Sequence, residues 1–237
     1  MSVWRLDPAD PGFPPAELAN DGDGLLAIGG DYSVPRLLNA YAGGIFPWMT
    51  YRGEITWHSP NPRFVLLPDA LHIPSSLRRT MRKRPFEITV DRAFERVIAA
   101  CALVPRPKPG TWISDSLRAG YVALHRAGFA HSVEAWREGE LVGGFYGVSI
   151  RTVFCGESMF ALTPDASKVA FATAATALFA SGCTMIDCQV RTNHPARFGG
   201  ADLPRKDFLA RLDDALDSLR DIDWPCLLEP PRASSAP

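Results

Sequence analysis

The sequence predicts a mixed α and β fold, in which helices cover a β-sheet, preceded by a smaller N-terminal part of irregular structure. In the second part of the chain, short apolar runs typical of strands alternate with segments that carry helix-capping residues. Residues 131–146 have the pattern of an antiparallel hairpin with a turn at residues 137–140. A sheet whose strands are joined partly through helices and partly by a hairpin belongs to the α/β or α+β class.

The first 63 residues are rich in glycine, proline and aromatic residues. One helix is predicted there, with Ser33 at its N-cap, Pro35 in its first turn and Gly43 at its end. The following segment, IFPWMTYRGEITWHSPNPR, leaves little room for long regular elements because its prolines interrupt them. We therefore predict a small irregular domain over residues 1–63, a larger domain over 64–229 and a disordered tail over 230–237.

The larger part is predicted to alternate strands with helices. Its helices begin at capping residues, namely Asp91, Ser114 or Asp115, and Ser167, and Gly182 ends one of them. Besides the hairpin, strands are predicted at residues 64–68, 86–90, 148–155 and 185–190, and helices at 75–84, 92–102, 114–127, 168–180 and 206–219.

Composition excludes several classes of protein. The 237 residues are 46% hydrophobic and 22% charged, which is typical of a folded chain. No apolar run reaches the ~18 residues of a membrane helix, and the first residues lack the pattern of a secretory signal. Five cysteines without a CxxC pair argue against a disulfide framework or a zinc ribbon. We expect a cytoplasmic protein with no membrane partner.

Local charge is more informative than the net charge of −1. Residues 70–86 contain five basic residues and no acidic one. On the predicted helix over residues 75–84, positions four apart form two adjacent basic stripes. The pattern fits a surface that binds a phosphate backbone, and the alternative is an ordinary solvated helix face. The five residues are Arg78, Arg79, Arg82, Lys83 and Arg84.

Two segments contain candidate catalytic side chains. Alternation along the predicted strand at residues 185–190 places Asp187 and Gln189 on one face, either lining an active cleft or within a satisfied structural network. In FCGESMF, Glu157 and Ser158 lie at a predicted strand end among apolar residues, where a carboxylate is a functional candidate. The alternative for Glu157 is an edge carboxylate that reaches water.

Other chemistries have little support. The histidines are scattered, and Cys183 and Cys188 lack a matching second pair of ligands, so we expect no metal site. Cys155 and Cys188 are interpreted as packing residues rather than nucleophiles. The segment IGGDYS lacks the GK[ST] ending of a phosphate loop.

Several blocks, taken in order, resemble the leucyl/phenylalanyl-tRNA–protein transferases: GLLAIGGD, RLLNAYAGGIFPW, WHSPNPR, GTWIS, HSVEAW, ELVGGFYGV, FCGESMF, ASKVA and IDCQV. The resemblance spans about residues 24–219. It implies a small N-terminal domain followed by a larger domain of the GNAT acetyltransferase type. It also implies transfer of Leu, Phe or, less readily, Met from aminoacyl-tRNA to proteins with N-terminal Arg or Lys, which marks them for N-end rule degradation.

The resemblance also implies site residues. The catalytic pair falls on Asp187 and Gln189, and the basic helix is expected to bind tRNA. The resemblance implies no metal or coenzyme, and ALTPDASK stands where a coenzyme A loop would be. We also expect a monomer. The aminoacyl pocket is expected at Trp48, Trp112, Phe154, Glu157, Ser158 and Ile186, with Phe145 in place of a family methionine and Ala174 where an aromatic residue is expected.

The sequence leaves two rival functions and one chemically related transferase to weigh. A coenzyme A-dependent N-acyltransferase would use the same fold, but the pyrophosphate-binding loop is missing. A non-catalytic tRNA-binding protein would have no use for Asp187, Gln189 and Glu157 in one cleft. A peptidoglycan-type aminoacyl-tRNA transferase usually needs two acyltransferase-like units, which 237 residues cannot easily hold.

Overall fold

Two β-sheets organise the chain in this computed structural model, which describes residues 3–103 and 113–229. The first sheet has the strand order β1-β2-β4-β3, and the second has the order β11-β5-β10-β9-β8-β7-β6. Strands β9 and β10 are parallel, whereas the other pairs in the second sheet are antiparallel. The predicted α+β class with a mixed sheet is confirmed.

The strands are β1 (Trp4–Leu6), β2 (Leu25–Gly29), β3 (Phe46–Tyr51), β4 (Glu54–His58), β5 (Arg63–Leu66), β6 (Glu87–Val90), β7 (Ala130–Arg137), β8 (Glu140–Ile150), β9 (Val153–Ala161), β10 (Met185–Asp187) and β11 (Ala201–Leu203). The α-helices are α1 (Val34–Ala42), α2 (Ser75–Arg82), α3 (Phe94–Leu103), α4 (Asp115–Arg126), α5 (Ala166–Ala180), α6 (Asn193–Ala196) and α7 (Arg205–Leu216). Two short 3₁₀ helices cover Ala16–Leu18 and Pro68–Ala70.

The expectation of an irregular N-terminal part is wrong, because a four-stranded sheet occupies it. Pro47 is compatible with this sheet since it lies on β3, an edge strand, where a missing N–H group is tolerated. A bulge between Pro47 and Met49 accommodates one extra residue, Trp48, opposite β4. The aromatic residues that looked irregular in the sequence are therefore part of a bulged hairpin.

The hairpin of the larger sheet is confirmed, and it is longer than predicted. Strands β7 and β8 are joined by Glu138 and Gly139, whose φ values of 53° and 80° fit a tight turn. The strand predicted at residues 148–155 is wrong, because a second turn at Arg151 and Thr152 separates β8 from β9. Arg151 has a φ of 52°, a turn conformation that an apolar run does not reveal.

Two helix starts differ from the prediction, whereas Ser114 caps α4 as expected by accepting a hydrogen bond from Leu117 N. The carboxylate of Asp91 binds His131 and the backbone of Ser132 instead of capping α3. The N-cap of α5 is Asp165 rather than Ser167.

Helices cover both faces of the larger sheet. Helices α3 and α4 pack on one face, in a core that continues into α1 and the first sheet. Helix α5 covers the other face, and α2 packs behind it through Leu77. Within the described residues, no helix combines the length and the apolar character needed to cross a membrane.

Candidate active site

A cavity of about 330 Å³ opens where β9 and the end of β10 meet the beginning of β3. Strand β9 contributes Glu157 and its neighbours, the segment after β10 contributes Gln189, and the first sheet contributes Trp48. The lining residues are Phe46, Pro47, Trp48, Phe145, Tyr146, Phe154, Gly156, Glu157, Ser158, Met159, Phe171, Ile186, Cys188, Gln189, Val190, Thr192, His194 and Pro195.

One end of the cavity is an apolar hollow. The ring of Phe145 lies with its centroid 6.0 Å from that of Phe154 and 5.9 Å from that of Phe171. Ile186 belongs to the same buried cluster. His194 packs edge-on against Phe171 at 5.4 Å, and burial lowers the pKa of its imidazole to about 4, so the ring is neutral. The hollow therefore favours an apolar side chain as its occupant.

Glu157 is the polar centre of the cavity. Its Oε1 accepts hydrogen bonds from Tyr41 Oη and from Gln189 Nε2, each at 2.6 Å. Its Oε2 accepts a hydrogen bond from Tyr121 Oη at 2.8 Å. Three donors from α1, α4 and the segment after β10 thus converge on one carboxylate, a geometry that favours its ionised form.

Burial and these hydrogen bonds shift the pKa of Glu157 in opposite directions. Desolvation is the largest effect and raises the pKa of this carboxyl to about 7, while the bonds from Tyr41, Tyr121 and Gln189 pull it downward. A glutamate ordinarily titrates near pH 4.5. Glu157 therefore changes its charge close to neutral pH, where a small change in its surroundings alters the proton count of the site.

Gln189 is held in one orientation. Its Nε2 donates to Glu157, so the side-chain carbonyl Oε1 remains as the acceptor of the amide. The backbone at Gln189 has a φ of 62°, and its N–H donates to Asp187 Oδ1 at 2.9 Å. The residue is largely buried, yet it lines the cavity. The site thus presents an oriented carbonyl beside the apolar hollow.

Asp187 and Arg63 form a buried ion pair. Arg63 Nε and Nη2 donate to the two carboxylate oxygens of Asp187 at 2.8 and 2.6 Å. Arg63 also donates to the carbonyl of Gly44 at 3.1 Å. Its guanidinium carbon lies 4.8 Å from the ring centroid of Phe46 and 4.5 Å from that of Phe208. Burial acts to lower the pKa of Arg63, but the Asp187 carboxylate more than offsets this and raises it.

The expectation that Asp187 and Gln189 share one face and both line the cleft is wrong. Asp187 has no solvent exposure and is not among the lining residues. Strand β10 ends at Asp187, so the alternation that the prediction extended to Gln189 does not continue. Ile186, on the opposite face of β10 from Asp187, is the strand residue that faces the hollow.

Glu157 and Ser158 also differ from the prediction in their position on the strand. They lie within β9 rather than at its end, and Ser158 is paired with Tyr146 of β8. The predicted pocket residue Trp112 lies outside the described residues. The structure brings together six predicted pocket residues around the cavity: Trp48, Phe145, Phe154, Glu157, Ser158 and Ile186.

The predicted basic helix is present as α2, which ends at Arg82. It is anchored by Leu77, and Arg78 Nε donates to the carbonyl of Ile73 at 2.9 Å. The other basic side chains of the segment are exposed, with Lys83 at the C-cap and Arg84 just beyond it. The five charges therefore lie on the surface of α2, which packs on α5, and of the two residues that follow it.

Sequence reasoning missed several residues of the site. Tyr41 falls within the block RLLNAYAGGIFPW, so a signal for it existed, whereas Tyr121 lies outside every quoted block. Arg63 closes the block WHSPNPR, but nothing in the pattern indicates that it is buried beside Asp187. Phe171 lies one helical turn before Ala174, the position where an aromatic residue was expected, and its ring lines the hollow.

The thiols of Cys188 and Cys155 are not suited to nucleophilic catalysis. Cys188 lines the cavity, but burial raises the pKa of its thiol, and burial has the same effect on Cys155. Among the described residues, no group of three or more His, Cys, Asp or Glu side chains is placed to hold a metal ion.

Comparisons with known proteins show the family to which the chain belongs. The sequence profile of the leucyl/phenylalanyl-tRNA protein transferase family matches residues 65–213, and that of its N-terminal domain matches residues 30–61. The chain belongs to this family. A leucyl/phenylalanyl-tRNA–protein transferase from Myxococcus xanthus is 56% identical over 218 residues, covering 91% of this chain and 93% of the relative. The transferase from Laribacter hongkongensis is 50% identical over 214 residues, covering 90% and 91%.

Two solved structures show a weaker likeness to this member of the transferase family. L-PGS from Bacillus licheniformis matches with a TM-score of 0.39 and 11% identity, covering 71% of this chain and 54% of that chain. A GCN5-related N-acetyltransferase from Kribbella flavida matches with a TM-score of 0.35 and 14% identity, covering 75% and 65%.

Proposed function

We propose that this protein transfers Leu, Phe or, less readily, Met from aminoacyl-tRNA to the N-terminal Arg or Lys of acceptor proteins. The observation that carries the proposal is the apolar hollow beside the oriented Gln189–Glu157 pair, in a chain of the transferase family. The product would enter the N-end rule degradation pathway. The enzyme acts as a monomer in the cytoplasm, without cofactor, metal or membrane partner.

The hollow selects the donor amino acid. Phe145, Phe154 and Phe171 surround a space suited to an apolar side chain such as that of Leu or Phe. Each methylene missing from the donor loses ~1–3 kcal/mol of binding in such a pocket, so Val and Ala donors are rejected. Phe145 and Phe171 set the shape of the pocket.

The reaction needs positioning more than a strong base. The α-amine of the acceptor has an ordinary pKa of ~7.7–8.0, so its deprotonation at neutral pH costs only ~1 kcal/mol. Its nitrogen attacks the ester carbonyl, the bond to the ribose oxygen breaks, and that oxygen takes up a proton. Holding amine and ester together contributes up to ~7–11 kcal/mol in well-oriented reactions.

Gln189 is the residue that we place against the reacting groups. Because its Nε2 is bonded to Glu157, its Oε1 is available to accept a hydrogen bond from the attacking amine. Asp187 acts indirectly. It accepts a hydrogen bond from the backbone N–H of Gln189, and it neutralises the charge of Arg63. This geometry favours Asp187 as an orienting group over direct contact with the amine.

Glu157 also suits a cationic acceptor. It is the acidic residue among the side chains that line the cavity, so an incoming Arg or Lys would meet its charge there. A nearby cation favours the ionised carboxylate, which in turn maintains the bond to Gln189. Acceptor binding and orientation of Gln189 would therefore support each other.

The tRNA is recognised mainly through shape and phosphate contacts. Arg78, Arg79, Arg82, Lys83 and Arg84 supply exposed positive charge on and beside α2. The terminal adenosine stacks on an aromatic side chain. Trp48, which lines the cavity, is one candidate, and the sequence offers Trp112 as a second.

The coenzyme A alternative is less compatible with the start of α5. A pyrophosphate would need open backbone N–H groups there, but Asp165 places its carboxylate at this end and pairs with Lys168 at 2.7 Å. Gly143 of β8 also packs against the first turn, where an added Cβ would lie 2.6 Å from that of Ala166.

The direct test is a transfer assay analysed by mass spectrometry. The protein is incubated with Phe-tRNA or Leu-tRNA and with otherwise identical peptides that begin with Arg, Lys or Ala. The proposal predicts one added Leu or Phe residue on the Arg and Lys peptides and none on the Ala peptide. Binding of charged tRNA without its consumption would instead support the non-catalytic alternative.

A further inference from the structure

A stripe of side chains leads from the cavity to the tip of the hairpin formed by β3 and β4, and the proposed chemistry does not use its outer half. Phe46 and Trp48 line the cavity. Met49 and Tyr51 follow them along β3. Exposure increases along the stripe, from 2% at Phe46 to 45% at Met49 and 61% at Tyr51.

The bulge in β3 places these side chains on one face of the sheet. Simple alternation would put Trp48 and Met49 on opposite faces, but the extra residue between Pro47 and Met49 removes that alternation. The ring of Trp48 packs edge-on against His58 at 5.1 Å. His58 is bonded to Thr56, which is the residue paired with Met49.

Tyr51 continues the same face. It pairs with Glu54, which lies two residues before Thr56 on β4, so the two β4 side chains point to the same side. The stripe is therefore a continuous surface that runs from a buried ring to an exposed one.

The tip of the hairpin combines an aromatic ring with a free positive charge. The Arg52 guanidinium lies 5.2 Å from the centroid of the Tyr51 ring. The neighbouring Glu54 pairs with Arg5, and no carboxylate in the described part of the chain pairs with Arg52. An exposed ring that stacks bases, beside a cation that contacts phosphate, is the usual chemistry of single-stranded RNA recognition.

We propose that Tyr51 stacks on an unpaired nucleotide that precedes the terminal adenosine of the donor tRNA, while Arg52 contacts its phosphate. This inference rests on the proposed function, since it requires the aminoacyl end to occupy the cavity beside Trp48. With the bulge at Trp48 taken into account, strand geometry places Tyr51 about 8 Å beyond Trp48 along β3. This span suits nucleotides next to the terminal adenosine rather than the body of the tRNA.

The test compares two donors, a full aminoacyl-tRNA and an aminoacyl-adenosine that lacks the preceding nucleotides. Tyr51→Ala should raise the KM for aminoacyl-tRNA about tenfold, the loss expected for one base stack. Arg52→Ala should raise the same KM and reduce its salt dependence. Tyr51→Phe, which keeps the ring, should behave like the wild type. With aminoacyl-adenosine, none of these variants should change the KM.

Trp4→Ala is the matched control, because Trp4 is an exposed ring on β1, at the opposite edge of the same sheet, and its removal should change neither KM. The inference is overturned if Tyr51→Ala leaves the KM for aminoacyl-tRNA unchanged, or raises the KM for both donors equally. A wild-type protein that consumes neither donor would overturn the proposed function itself. The two failures are therefore distinguishable.

Discussion

The protonation state of Glu157 determines whether its carboxylate can hold Gln189 in the orientation described above. Its pKa is raised to about 7, chiefly by burial, so the carboxylate that holds Gln189 Nε2 forms as the pH rises through neutrality. We expect the transfer rate to increase between about pH 6 and 8 as this group ionises. Glu157→Gln cannot ionise. Its rate at about pH 8 should be lower than that of the wild type, and the increase in rate that accompanies ionisation of Glu157 should be absent.

The acceptor amine titrates in the same direction, with an ordinary pKa of ~7.7–8.0, and therefore needs a control. The amine affects the rates of both proteins equally. The ratio of the wild-type rate to the Glu157→Gln rate therefore reports the effect of Glu157 ionisation alone. That ratio should rise with pH and level off above about pH 8. A ratio that stays constant across this range would contradict the role assigned to Glu157.

Asp187 is expected to matter for stability as well as for transfer. Asp187→Asn leaves Arg63 as a buried charge without its partner, which should lower the free energy of unfolding by about 3–5 kcal/mol. Asp202→Asn is a matched control because Asp202 pairs with Arg191 at the surface, where such pairs contribute about 0–1 kcal/mol. Urea denaturation gives both values.

The catalytic part of the Asp187 prediction is measured on folded protein, at a temperature well below the unfolding transition of the variant. We expect transfer to fall because the neutral Asn amide has one acceptor oxygen in place of two. It can no longer be fixed by both hydrogen bonds from Arg63, so the oxygen that accepts from the Gln189 backbone N–H is no longer held in place. Undiminished transfer by Asp187→Asn would show that Asp187 does not position Gln189.

At the scale of elements, α2 is expected to govern salt dependence. Replacing Arg79, Arg82 and Lys83 together by Ala removes exposed charges from this helix without touching the cavity. Binding of aminoacyl-tRNA should weaken, and the slope of log K against log salt should become shallower by up to about 0.7–0.9 for each phosphate that the variant no longer neutralises.

Binding is measured by titration with aminoacyl-tRNA at several salt concentrations. A control variant that replaces the exposed arginines Arg96, Arg211 and Arg220 tests whether removing any three positive charges has this effect. An unchanged slope in the α2 variant would place the RNA surface elsewhere on the molecule.

Local chemistry explains which elements were predictable from the sequence. The turn at Glu138 and Gly139 and the Ser114 cap carry signals in adjacent residues, so the hairpin and α4 were predicted. The ends of β8 and β10 were not, because Arg151 and Gln189 adopt left-handed backbone conformations that tertiary contacts support. For Gln189 those contacts are the hydrogen bond from its Nε2 to Glu157 Oε1 and the one that its carbonyl accepts from Phe64 N.

The site shows the same division between local and long-range information. Six pocket residues were predicted because their blocks resemble the family's, and they do surround one cavity. The donors Tyr41 and Tyr121 come from helices 116 and 36 residues away from Glu157 in sequence. No local pattern reports such a contact, and the burial of Arg63 beside Asp187 is equally invisible to sequence reasoning.

At the scale of the whole molecule, the N-terminal part completes the site. Tyr41 of α1 reaches Glu157 of β9, and Arg205 of α7 binds the backbone carbonyls of Ser59 and Ala19. One buried cluster runs through both parts of the chain. The first sheet therefore contributes to the electrostatics of the cavity as well as to its wall.

Tyr41→Phe tests this contribution. Removing a hydroxyl that lowers the pKa of Glu157 should raise that pKa further and shift the midpoint of the rate profile to higher pH. Above that midpoint the rate should approach the wild-type value. Tyr32→Phe is the control, since the Tyr32 side chain does not line the cavity. If the pH–rate profile of Tyr41→Phe coincides with that of the wild type, Tyr41 of α1 does not influence the pKa of Glu157.

The most direct measurement is a crystal structure with an aminoacyl-adenosine analogue whose ester is replaced by a stable amide. We predict that its Phe or Leu side chain fills the hollow between Phe145, Phe154 and Phe171, with the amide carbonyl beside Gln189. An analogue bound on another face of the protein, with the cavity still empty, would contradict the assignment of this cavity as the aminoacyl site.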